Sequence, residues 1–524
     1  MQSRVFFVAA IVLALGCSSS RSAATCSTDD QCPATAYCNT GFCTVLPDGQ
    51  CRLPSTCTPP ANATATCVNK TCGFMCNDTY NQCGGACIAD SPTSCGSDCQ
   101  VCQVPPNGEA TCTAGTCGIK CVQGMTLCQP SSGPNYCIND ASCPLCTGNE
   151  MHCTSATCCS QVASVAAAGM DSTSFTCAGT KDGKALCWGS GTPGLLGNGT
   201  STDSSSPVEV LVSVGNPLSN VTTVVGGGKF ACALSSGGVK CWGFNAFGQL
   251  GNNTTTNSPW AVDVLDASLH PLANVTAIAV GGTFACALLN TSSVACWGFN
   301  GFGQLGIGTT VNSSVALTVG GATALSSVKA IAAGFSHACA IVGTGSVKCW
   351  GNNNAGQLGW AGATTSTTPV DVASLTDAAA FAGGTMHTCA VTAGGGAKCW
   401  GANGSGQLGN NSTDPSSAPV DVTGVSGVSA ISASGTTCAL LSSSGAIKCW
   451  GSGSNGLLGN NTSADSSTAV DVSGIFGATA VSVGADHVCA VMNYGGVKCW
   501  GRNASGNLGD GTKTQRYTPV DVIF

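Results

Sequence analysis

The tripeptide Cys-Trp-Gly occurs seven times at nearly constant intervals, and this repeat constrains the fold more than any other feature of the sequence. The copies begin at Cys187, Cys241, Cys296, Cys349, Cys399, Cys449 and Cys499. Their period of about 50 residues, repeated more than three times, is typical of propellers and solenoids, in which each unit buries its apolar face against its neighbours.

Each unit contains four short strand-like runs. In the fourth copy these runs cover residues 328–334, 337–342, 346–351 and 368–372, and a glycine-containing turn at 343–345 joins the second run to the third. Four short strands separated by turn residues are the pattern of one propeller blade. No part of residues 160–524 keeps an apolar period of 3.6 residues, which argues against a helical solenoid. We therefore predict an all-β fold in which each repeat forms a four-stranded blade.

A second cysteine precedes each Cys-Trp-Gly cysteine at a nearly constant distance along the chain. With a tight turn midway, the two cysteines lie opposite each other on antiparallel strands, where Cα atoms are roughly 4.5–5.5 Å apart and within disulfide reach. We predict one disulfide in every blade, each contributing about 2–3 kcal/mol of stability. The pairs are Cys177/Cys187, Cys232/Cys241, Cys286/Cys296, Cys339/Cys349, Cys389/Cys399, Cys438/Cys449 and Cys489/Cys499.

The residues after each tripeptide identify a family. Residues 242–251 read Trp-Gly-Phe-Asn-Ala-Phe-Gly-Gln-Leu-Gly, and most repeats close on Pro-Val-x-Val or a close variant. This signature resembles the regulator-of-chromosome-condensation repeat over residues 160–524. The resemblance implies a closed seven-bladed β-propeller. It also brings two family activities as alternatives, which are nucleotide exchange on a small nuclear GTPase and, in a secreted bacterial relative, inhibition of β-lactamases.

The composition excludes several kinds of partner. Only 8% of the residues are charged, against about 25% in a typical domain, and the net charge is −7. Without a cluster of Lys or Arg there is no basic footprint for nucleic acid and no polybasic patch for an anionic membrane. We expect no nucleic-acid partner and no membrane contact other than a lipid anchor.

The 39 cysteines place the protein in an oxidising compartment. Two isolated C-x₂-C spacings, Cys99/Cys102 and Cys143/Cys146, lack the regularly spaced further ligands of a zinc site. We therefore favour disulfides over metal and expect neither a metal nor a cofactor.

The N-terminus has the features of an export signal. Arg4 precedes an apolar run at 6–15 that is too short to span a bilayer, and Gly16-Cys17 follows it. The segment 14–17 resembles the bacterial lipobox, which predicts a lipoprotein signal peptide at 1–16 and lipidation at Cys17. Removing Cys17 leaves an even number of cysteines. The alternative is an ordinary signal peptide cut at Ala23 or Ala24. Either way the mature chain is exported, and we expect it at the bacterial cell envelope, lipid-anchored to the outer membrane or cell surface.

Residues 17–159 form a cysteine-rich region with few aliphatic residues. The many cysteines between Cys26 and Cys159 must replace a hydrophobic core. The unit that begins near residue 63 recurs as a tandem duplicate, so that Cys67 and Cys72 correspond to Cys112 and Cys117. We predict a small, loop-dominated, disulfide-stapled stalk, and we keep a binding role as the alternative.

The repeats supply no clear catalytic residue. His337, His387 and His487 occupy a position that Phe230 and Phe284 fill in other copies, and a site that accepts phenylalanine indicates packing. The aspartates of the closing strand also share one position, which favours a scaffold role; they are Asp263, Asp371, Asp421, Asp471 and Asp521. We expect no enzymatic activity.

Aromatic residues that differ between the repeats are the candidate binding residues. Phe244 and Phe247 in the second repeat correspond to Phe299 and Phe302 in the third, whereas the other repeats have small or polar residues there. Trp260 and Trp360 are further solitary aromatics in the connecting segments. One interpretation is an exposed apolar patch that binds a partner, and the other is packing between neighbouring blades.

These observations favour a non-enzymatic, extracytoplasmic, protein-binding scaffold that is monomeric and has an unknown protein partner. A secreted enzyme inhibitor is an alternative form of the same activity. A propeller enzyme would need a cluster of carboxylates or histidines at one rim of the ring. A nucleotide exchange factor would need free thiols and a cytosolic location.

Overall fold

The computed structural model describes residues 161–524 except 171–172 and 322–324, together with the backbone of six two-stranded pairs ahead of them. The predicted signal peptide, the predicted lipidation site Cys17 and the isolated C-x₂-C cysteines lie outside the described residues. Two of the pairs belong to the duplicated unit. Ala63–Val68 pairs with Thr71–Cys76, and Gly108–Thr113 pairs with Thr116–Cys121 in the same register. The other pairs are Ala36–Asn39 with Phe42–Val45, Tyr80–Cys83 with Ala86–Ala89, Thr126–Cys128 with Tyr136–Ile138, and Glu150–His152 with Cys158–Ser160.

The described residues from 161 onward form seven four-stranded antiparallel sheets, each built from four consecutive strands that we call A to D from the inside outward. The A strands are Val162–Met170, Val221–Gly226, Val275–Val280, Val328–Ala333, Ala378–Gly383, Val428–Ala433 and Ala478–Val483. The B strands are Thr173–Thr180, Phe230–Ser235, Phe284–Leu289, His337–Val342, His387–Thr392, Thr436–Leu441 and His487–Met492. The C strands are Ala185–Gly189, Gly238–Gly243, Val294–Gly298, Ser346–Asn352, Ala397–Gly401, Ile447–Gly451 and Val497–Gly501.

The D strands are Ser204–Glu209, Ser258–Asp263, Ser313–Thr318, Thr365–Asp371, Ser416–Asp421, Ser466–Asp471 and Arg516–Asp521. A small hairpin of Leu211–Ser213 and Asn216–Pro217 follows the first D strand, and Ser454–Gly456 forms one 3-10 turn. The predicted seven-bladed β-propeller of four-stranded blades is therefore confirmed. Among the described residues, no helix has the length and apolarity needed to cross a membrane.

The seven predicted cysteine pairs are all bonded in the structure. In every blade the two cysteines are directly opposite on strands B and C, with Cα atoms 4.0–4.1 Å apart. This separation is close to that of a non-hydrogen-bonded antiparallel pair, the narrower of the two kinds. All fourteen sulfurs belong to buried residues, so each disulfide lies inside the stack of blades.

The tryptophan of each tripeptide from the second blade onward anchors its blade to the blade before it. The indole Nε1 of Trp297 donates a 3.0 Å hydrogen bond to the backbone oxygen of Gln249, and Trp242, Trp350, Trp400, Trp450 and Trp500 make the equivalent bond. The acceptor residue belongs to the Gly-Gln-Leu-Gly motif, or its variant, in the preceding blade. The last glycine of that motif, as at Gly306 with φ +68°, lies so close to the next indole that a Cβ would come within 2.8 Å of Trp350. The motif is thus a contact between blades, which explains its repetition.

The ring closes without a shared strand. The first blade contacts the seventh through the Val162 amide, which donates to the Gly495 oxygen at 2.9 Å, and the Ala167 amide, which donates to Ser482 Oγ at 2.9 Å. At this boundary the indole nitrogen of Trp188 has no hydrogen-bond partner in the described structure. The closing boundary therefore lacks, among the described residues, the indole hydrogen bond that the six boundaries within the chain share.

The two sides of the ring carry different connections. One side, the loop side, holds the A–B turns and the long C–D loops, which meet where the Phe244 amide donates to the Lys229 oxygen at 2.9 Å. The other side, the turn side, holds the B–C turns and the D–A connections, which meet where the Val275 amide donates to the Gly237 oxygen at 2.9 Å. The A strands surround a central channel of about 520 Å³ whose described lining has no ionisable side chain.

Candidate recognition surface

In five of the seven blades a buried asparagine holds the C–D loop in shape. In the second blade, Asn245 Nδ2 donates to the backbone oxygens of Thr254 and Thr256 at 3.0 Å, and its Oδ1 accepts from the Leu250 amide at 2.8 Å. Asn300 makes equivalent bonds in the third blade. Because one side chain satisfies both donors and acceptors of the loop, the residues between these anchors are free to vary without loss of the loop conformation.

Four phenylalanines on two of these loops form a continuous row of rings, which we call the Phe ladder. The ring centroids of Phe244 and Phe247 are 6.3 Å apart, those of Phe247 and Phe299 5.0 Å, and those of Phe299 and Phe302 6.2 Å. The middle contact crosses the boundary between the second and third blades. The structure thus brings all four predicted phenylalanines together, at tilted or edge-to-face angles that aromatic pairs prefer.

The Phe ladder combines the two interpretations of these residues. Its rings pack on one another between blades, yet Phe247 is 37% exposed and the other three are partly exposed. Val311 on the same loop as Phe299 is 70% exposed. Sequence reasoning missed Val311, although its position next to Thr309 and Thr310 in a polar loop was a usable signal.

The two tryptophans are placed elsewhere. Trp260 is half-buried, with its ring against Gly199 in the C–D loop of the first blade. Trp360 is half-buried against the core between the fourth and fifth blades. No ring contact joins either tryptophan to the Phe ladder in the described part of the chain, so the structure does not group them with the four phenylalanines.

The three histidines are buried at boundaries between blades. His337 Nε2 lies 2.8 Å from Thr388 Oγ1 of the next blade, and that hydroxyl donates to the Gln357 backbone oxygen at 2.8 Å. Since the threonine proton is used in this way, His337 must donate from Nε2. His387 with Thr437 and His487 with Thr176 repeat the arrangement.

Burial controls the charge of two of these histidines. It lowers the pKa of His337 to about 3, with a smaller contribution from the neighbouring His387 charge, and it lowers the pKa of His387 to about 4. Both Nδ1 atoms are buried without a hydrogen-bond partner in the described structure. A neutral imidazole that is fully buried and bonded to the next blade fits the packing role that the sequence predicts.

The residue that faces the histidine position across a blade boundary changes with the residue that fills that position. Each buried histidine faces a threonine of the next blade around the ring, and that threonine is the residue after the position equivalent to the histidine. The pairs are His337 with Thr388, His387 with Thr437 and His487 with Thr176. Where a blade has phenylalanine, the next blade has alanine: Phe175 is followed by Ala231, Phe230 by Ala285 and Phe284 by Ala338. The two positions therefore match in size and polarity at six of the seven boundaries, and the remaining one joins Thr436 to Val488.

The aspartates that close the repeats form ion pairs within their blades. Asp263 Oδ1 lies 2.6 Å from Lys240 Nζ on strand C, and Asp371, Asp421, Asp471 and Asp521 each pair with the lysine 23 residues earlier. Because the aspartates of these pairs are 44–82% exposed, solvent screens the attraction and each pair contributes less than about 1 kcal/mol. The lysine before most Cys-Trp-Gly copies was the sequence signal for this partner.

One polar cluster occurs where the ring closes. Asp486 Oδ1 accepts from Ser174 Oγ at 2.7 Å and lies 3.3 Å from His487 Nδ1, while Arg502 is 3.7 Å from Oδ2. Burial opposes ionisation of Asp486, but the hydrogen bonds from His487 and Ser174 and the nearby positive charge lower its pKa. The histidine is fully buried and the hydroxyl that it contacts, Thr176, donates to the Asn507 oxygen at 2.7 Å, so the cluster joins blades and presents no free nucleophile.

A closed ring of seven four-stranded antiparallel blades, with a row of aromatic rings on one side, defines a seven-bladed β-propeller. Within that class, the model of the RCC1-like domain matches residues 144–485, and the model of the regulator of chromosome condensation (RCC1) repeat matches residues 478–507. The chain belongs to the RCC1-like family.

Curated relatives share part of the chain. The ultraviolet-B receptor UVR8 of Arabidopsis thaliana is 30% identical over 195 residues, which cover 37% of this chain and 43% of that protein. The E3 ubiquitin-protein ligase HERC2 of Homo sapiens is 29% identical over 204 residues, which cover 38% of this chain and 4% of that protein. The matches thus span less than half the length of these relatives. The crystal structure of Prp20p from Saccharomyces cerevisiae has a TM-score of 0.57 at 20% identity, covering 66% of this chain and 86% of that chain, and shares the fold.

Proposed function

We propose that the protein is a non-enzymatic scaffold that binds another protein through the Phe ladder. The observation that carries this proposal is the row of four rings across two blades on the loop side, of which Phe247 is the most exposed. Aromatic side chains are prominent among the residues that supply most of the binding energy at protein interfaces. The equivalent positions of the fourth blade are Asn352 and Ala355, so the fold does not require aromatics there.

The family supports a binding role without naming the partner. Prp20p is described with binding properties to Gsp1p and histones, and both of these are proteins. We do not transfer those partners, because the likeness concerns the fold and because the acidic, cysteine-rich sequence favours an exported protein. The buried histidines are each committed to the next blade, which supports the proposal that the propeller has no catalytic function.

We further propose that the chain is exported and held at a bacterial envelope by a lipid on Cys17, as a monomer. The sequence up to Cys17 and the even number of remaining cysteines support this part of the proposal. A Cys17→Ala variant tests it: labelling with an alkyne fatty acid should disappear, and the protein should move from the membrane fraction to the soluble fraction. Unchanged labelling and fractionation would refute the anchor and leave the propeller's binding role untouched.

The binding role is tested with three forms of the full-length chain in its own host. The first is unchanged, the second carries Ala at all four positions of the Phe ladder, and the third carries Phe476→Ala. Phe476 is a matched control because it is 66% exposed but lies in a D–A connection on the turn side. Proteins recovered after cross-linking are identified by mass spectrometry.

A partner that the unchanged chain and the Phe476→Ala variant retain, and that the ladder variant loses, would establish the recognition role and its location. Equal recovery by all three forms would show that the Phe ladder is only part of the scaffold. To confirm direct contact, a photoreactive phenylalanine at Val311 should cross-link to the same partner, whereas one at Phe476 should not.

A further inference from the structure

The third blade is free of charge over its whole length. No Asp, Glu, Lys, Arg or His occurs from Pro271 to Val328. In each of the other blades a lysine on strand C, or just before it, pairs with the acidic residue that ends strand D, but in the third blade the two opposed positions are Ala295 and Thr318. This uncharged stretch is long even for a chain with only 8% charged residues, and it contains Phe299 and Phe302 of the Phe ladder.

The absence of charge extends over neighbouring C–D loops. The loops of the second, third and fourth blades, at 244–257, 299–312 and 353–364, contain no ionisable residue. The loops of the other four blades contain Asp203, Asp414, Asp465, Asp510 and Lys513 among others. Lys229 is the one cation on the A–B turns of the second and third blades, and it is engaged in an interaction of its own. Apart from Lys229, the loop side is therefore divided into a neutral part over the second to fourth blades and a charged part.

An apolar partner can cover the neutral loops at a low cost in desolvation free energy. The backbone oxygens of Thr309 and Val311 at the rim of the third loop accept hydrogen bonds of 2.9 Å from the Asn300 side chain. The Asn253 amide donates to the Ser314 oxygen at 2.9 Å. A surface whose polar backbone groups are already satisfied within the protein loses little when water is removed by an apolar partner.

From these observations we infer that the partner presents an uncharged segment of aliphatic and aromatic side chains, which lies across the Phe ladder and Val311. This inference rests on the proposed function and adds the chemistry of the partner. A charged partner would find no counter-charge on these loops and would lose hydration on burial, and the cation–π contact open to a cation at an exposed ring is worth only about 0.5–1 kcal/mol. An uncharged apolar segment buries area on both sides. It follows that binding should depend little on salt.

A charge placed on the surface separates the two kinds of partner. For an uncharged segment, Phe247→Asp and Phe247→Lys should weaken binding alike, because either charge is desolvated without a counter-charge. For a charged segment, one sign should weaken binding and the other should strengthen it. Val311→Asp and Val311→Lys form a second pair at a more exposed position, where folding is not at risk, and Phe476→Asp on the turn side is the matched control.

The probe is a phage-displayed library of random dodecapeptides, selected on the full-length oxidised chain. We expect enriched peptides without charged residues in the binding motif, whose synthetic forms change Kd by less than about threefold between low and high concentrations of NaCl. Both Phe247 variants and both Val311 variants should weaken binding by about tenfold or more, since each buries an unpaired charge, and Phe476→Asp should leave Kd unchanged.

Enriched peptides that require Phe247 but share a charged residue, and that respond in opposite directions to Asp and Lys, would overturn the inference and leave the proposed function standing. If no peptide depends on the Phe ladder, both the inference and the proposed location of the binding site fail. Folding of each variant is checked beforehand by comparing its denaturant midpoint with that of the unchanged chain.

Discussion

The boundary between the second and third blades and the boundary between the fourth and fifth blades have the same backbone but different chemistry. At both, an indole donates to the backbone oxygen of a glutamine in the preceding blade. At the first boundary the buried position holds Phe230 against Ala285, and at the second it holds His337 bonded to Thr388. The C–D loops next to the two boundaries differ in the same way. Phenylalanines lie at the first boundary, and Asn352 and Ala355 lie near the second.

The comparison teaches that the repeated motif fixes the position of the blades, while the side chains at the boundary vary in matched sets. A buried phenylalanine requires a small apolar neighbour, and a buried histidine requires a hydroxyl that accepts a hydrogen bond from its ring nitrogen. The exposed loops are under no such constraint. Chemistry can therefore change on the loop side without a change in how the blades stack.

The largest expected difference between the two boundaries is their response to pH. The folded-state pKa values of His337 and His387, about 3 and about 4, lie below the usual 6.5, so the unfolded chain takes up protons first as the pH falls. Their contribution to stability is complete above pH 6.5 and is lost as the pH falls toward about 3 for His337 and about 4 for His387. We expect the free energy of unfolding to drop by about 2 kcal/mol for each histidine between pH 7 and pH 5.

The double variant His337→Phe/Thr388→Ala, which copies the first boundary into the second, should remove about 2 kcal/mol of this pH dependence. The measurement is urea unfolding of the oxidised chain, followed by tryptophan fluorescence at both pH values. An unchanged difference between pH 7 and pH 5 in the double variant would contradict the assignment of the buried neutral imidazole.

The next effect comes from breaking one matched pair at neutral pH. Thr388→Ala alone leaves the Nε2 proton of His337 buried without an acceptor, which should cost about 2 kcal/mol. Adding His337→Phe should recover most of that loss, because the pair then resembles Phe230 and Ala285. The two single variants and the double variant form a cycle measured by urea unfolding at pH 7, and simple additivity would show that the two positions are not coupled.

A smaller difference is expected between the internal boundaries and the closing boundary. Trp297→Phe removes a hydrogen bond to Gln249, whereas Trp188→Phe removes an indole nitrogen that has no partner among the described residues. Both changes cost packing, but the first should cost about 1 kcal/mol more than the second. Equal losses in thermal or denaturant unfolding would mean that the indole hydrogen bonds do not contribute to stability.

The smallest effect on stability is expected from the Phe ladder itself. Phe247→Ala removes the contacts of a partly exposed ring, and Ala355 fills the equivalent position of the fourth blade. The free energy of unfolding should fall by less than about 1 kcal/mol. The reciprocal variant Ala355→Phe is the matched control, and a loss well above this value for Phe247→Ala would favour packing over recognition.

Much of the fold could be predicted because the repeat reports the same information seven times. The period predicts a repeat fold, the strand pattern predicts four strands in each blade, and the cysteine spacing predicts one disulfide in each blade. The structure has four-stranded blades with the predicted bonds at Cys339/Cys349 and the equivalent pairs. The manner of closure was not predictable, since it depends on whether the strands at the two ends of the array pair or merely pack. The structure shows that they pack.

The candidate surface was predictable in part. Phe244, Phe247, Phe299 and Phe302 differ from the residues at the equivalent loop positions of the other blades, and this difference predicts the surface that they form. Trp260 is an equally isolated aromatic in the sequence, but its ring lies against Gly199. A position in a repeat does not tell whether a side chain faces solvent or the loop of the preceding blade. The His–Thr pairs were missed for a related reason, because the two members are far apart in the sequence and meet only when the blades stack.

The point at which the chain enters the ring has a mechanical consequence. Strand A of the first blade begins at Val162, whose amide bonds to Gly495 in a B–C turn, so residue 161 lies on the turn side. A force applied to the ring through residue 161 therefore acts on the turn side, next to the B–C turn that the Cys489–Cys499 disulfide closes, and not on the loops that carry the phenylalanines.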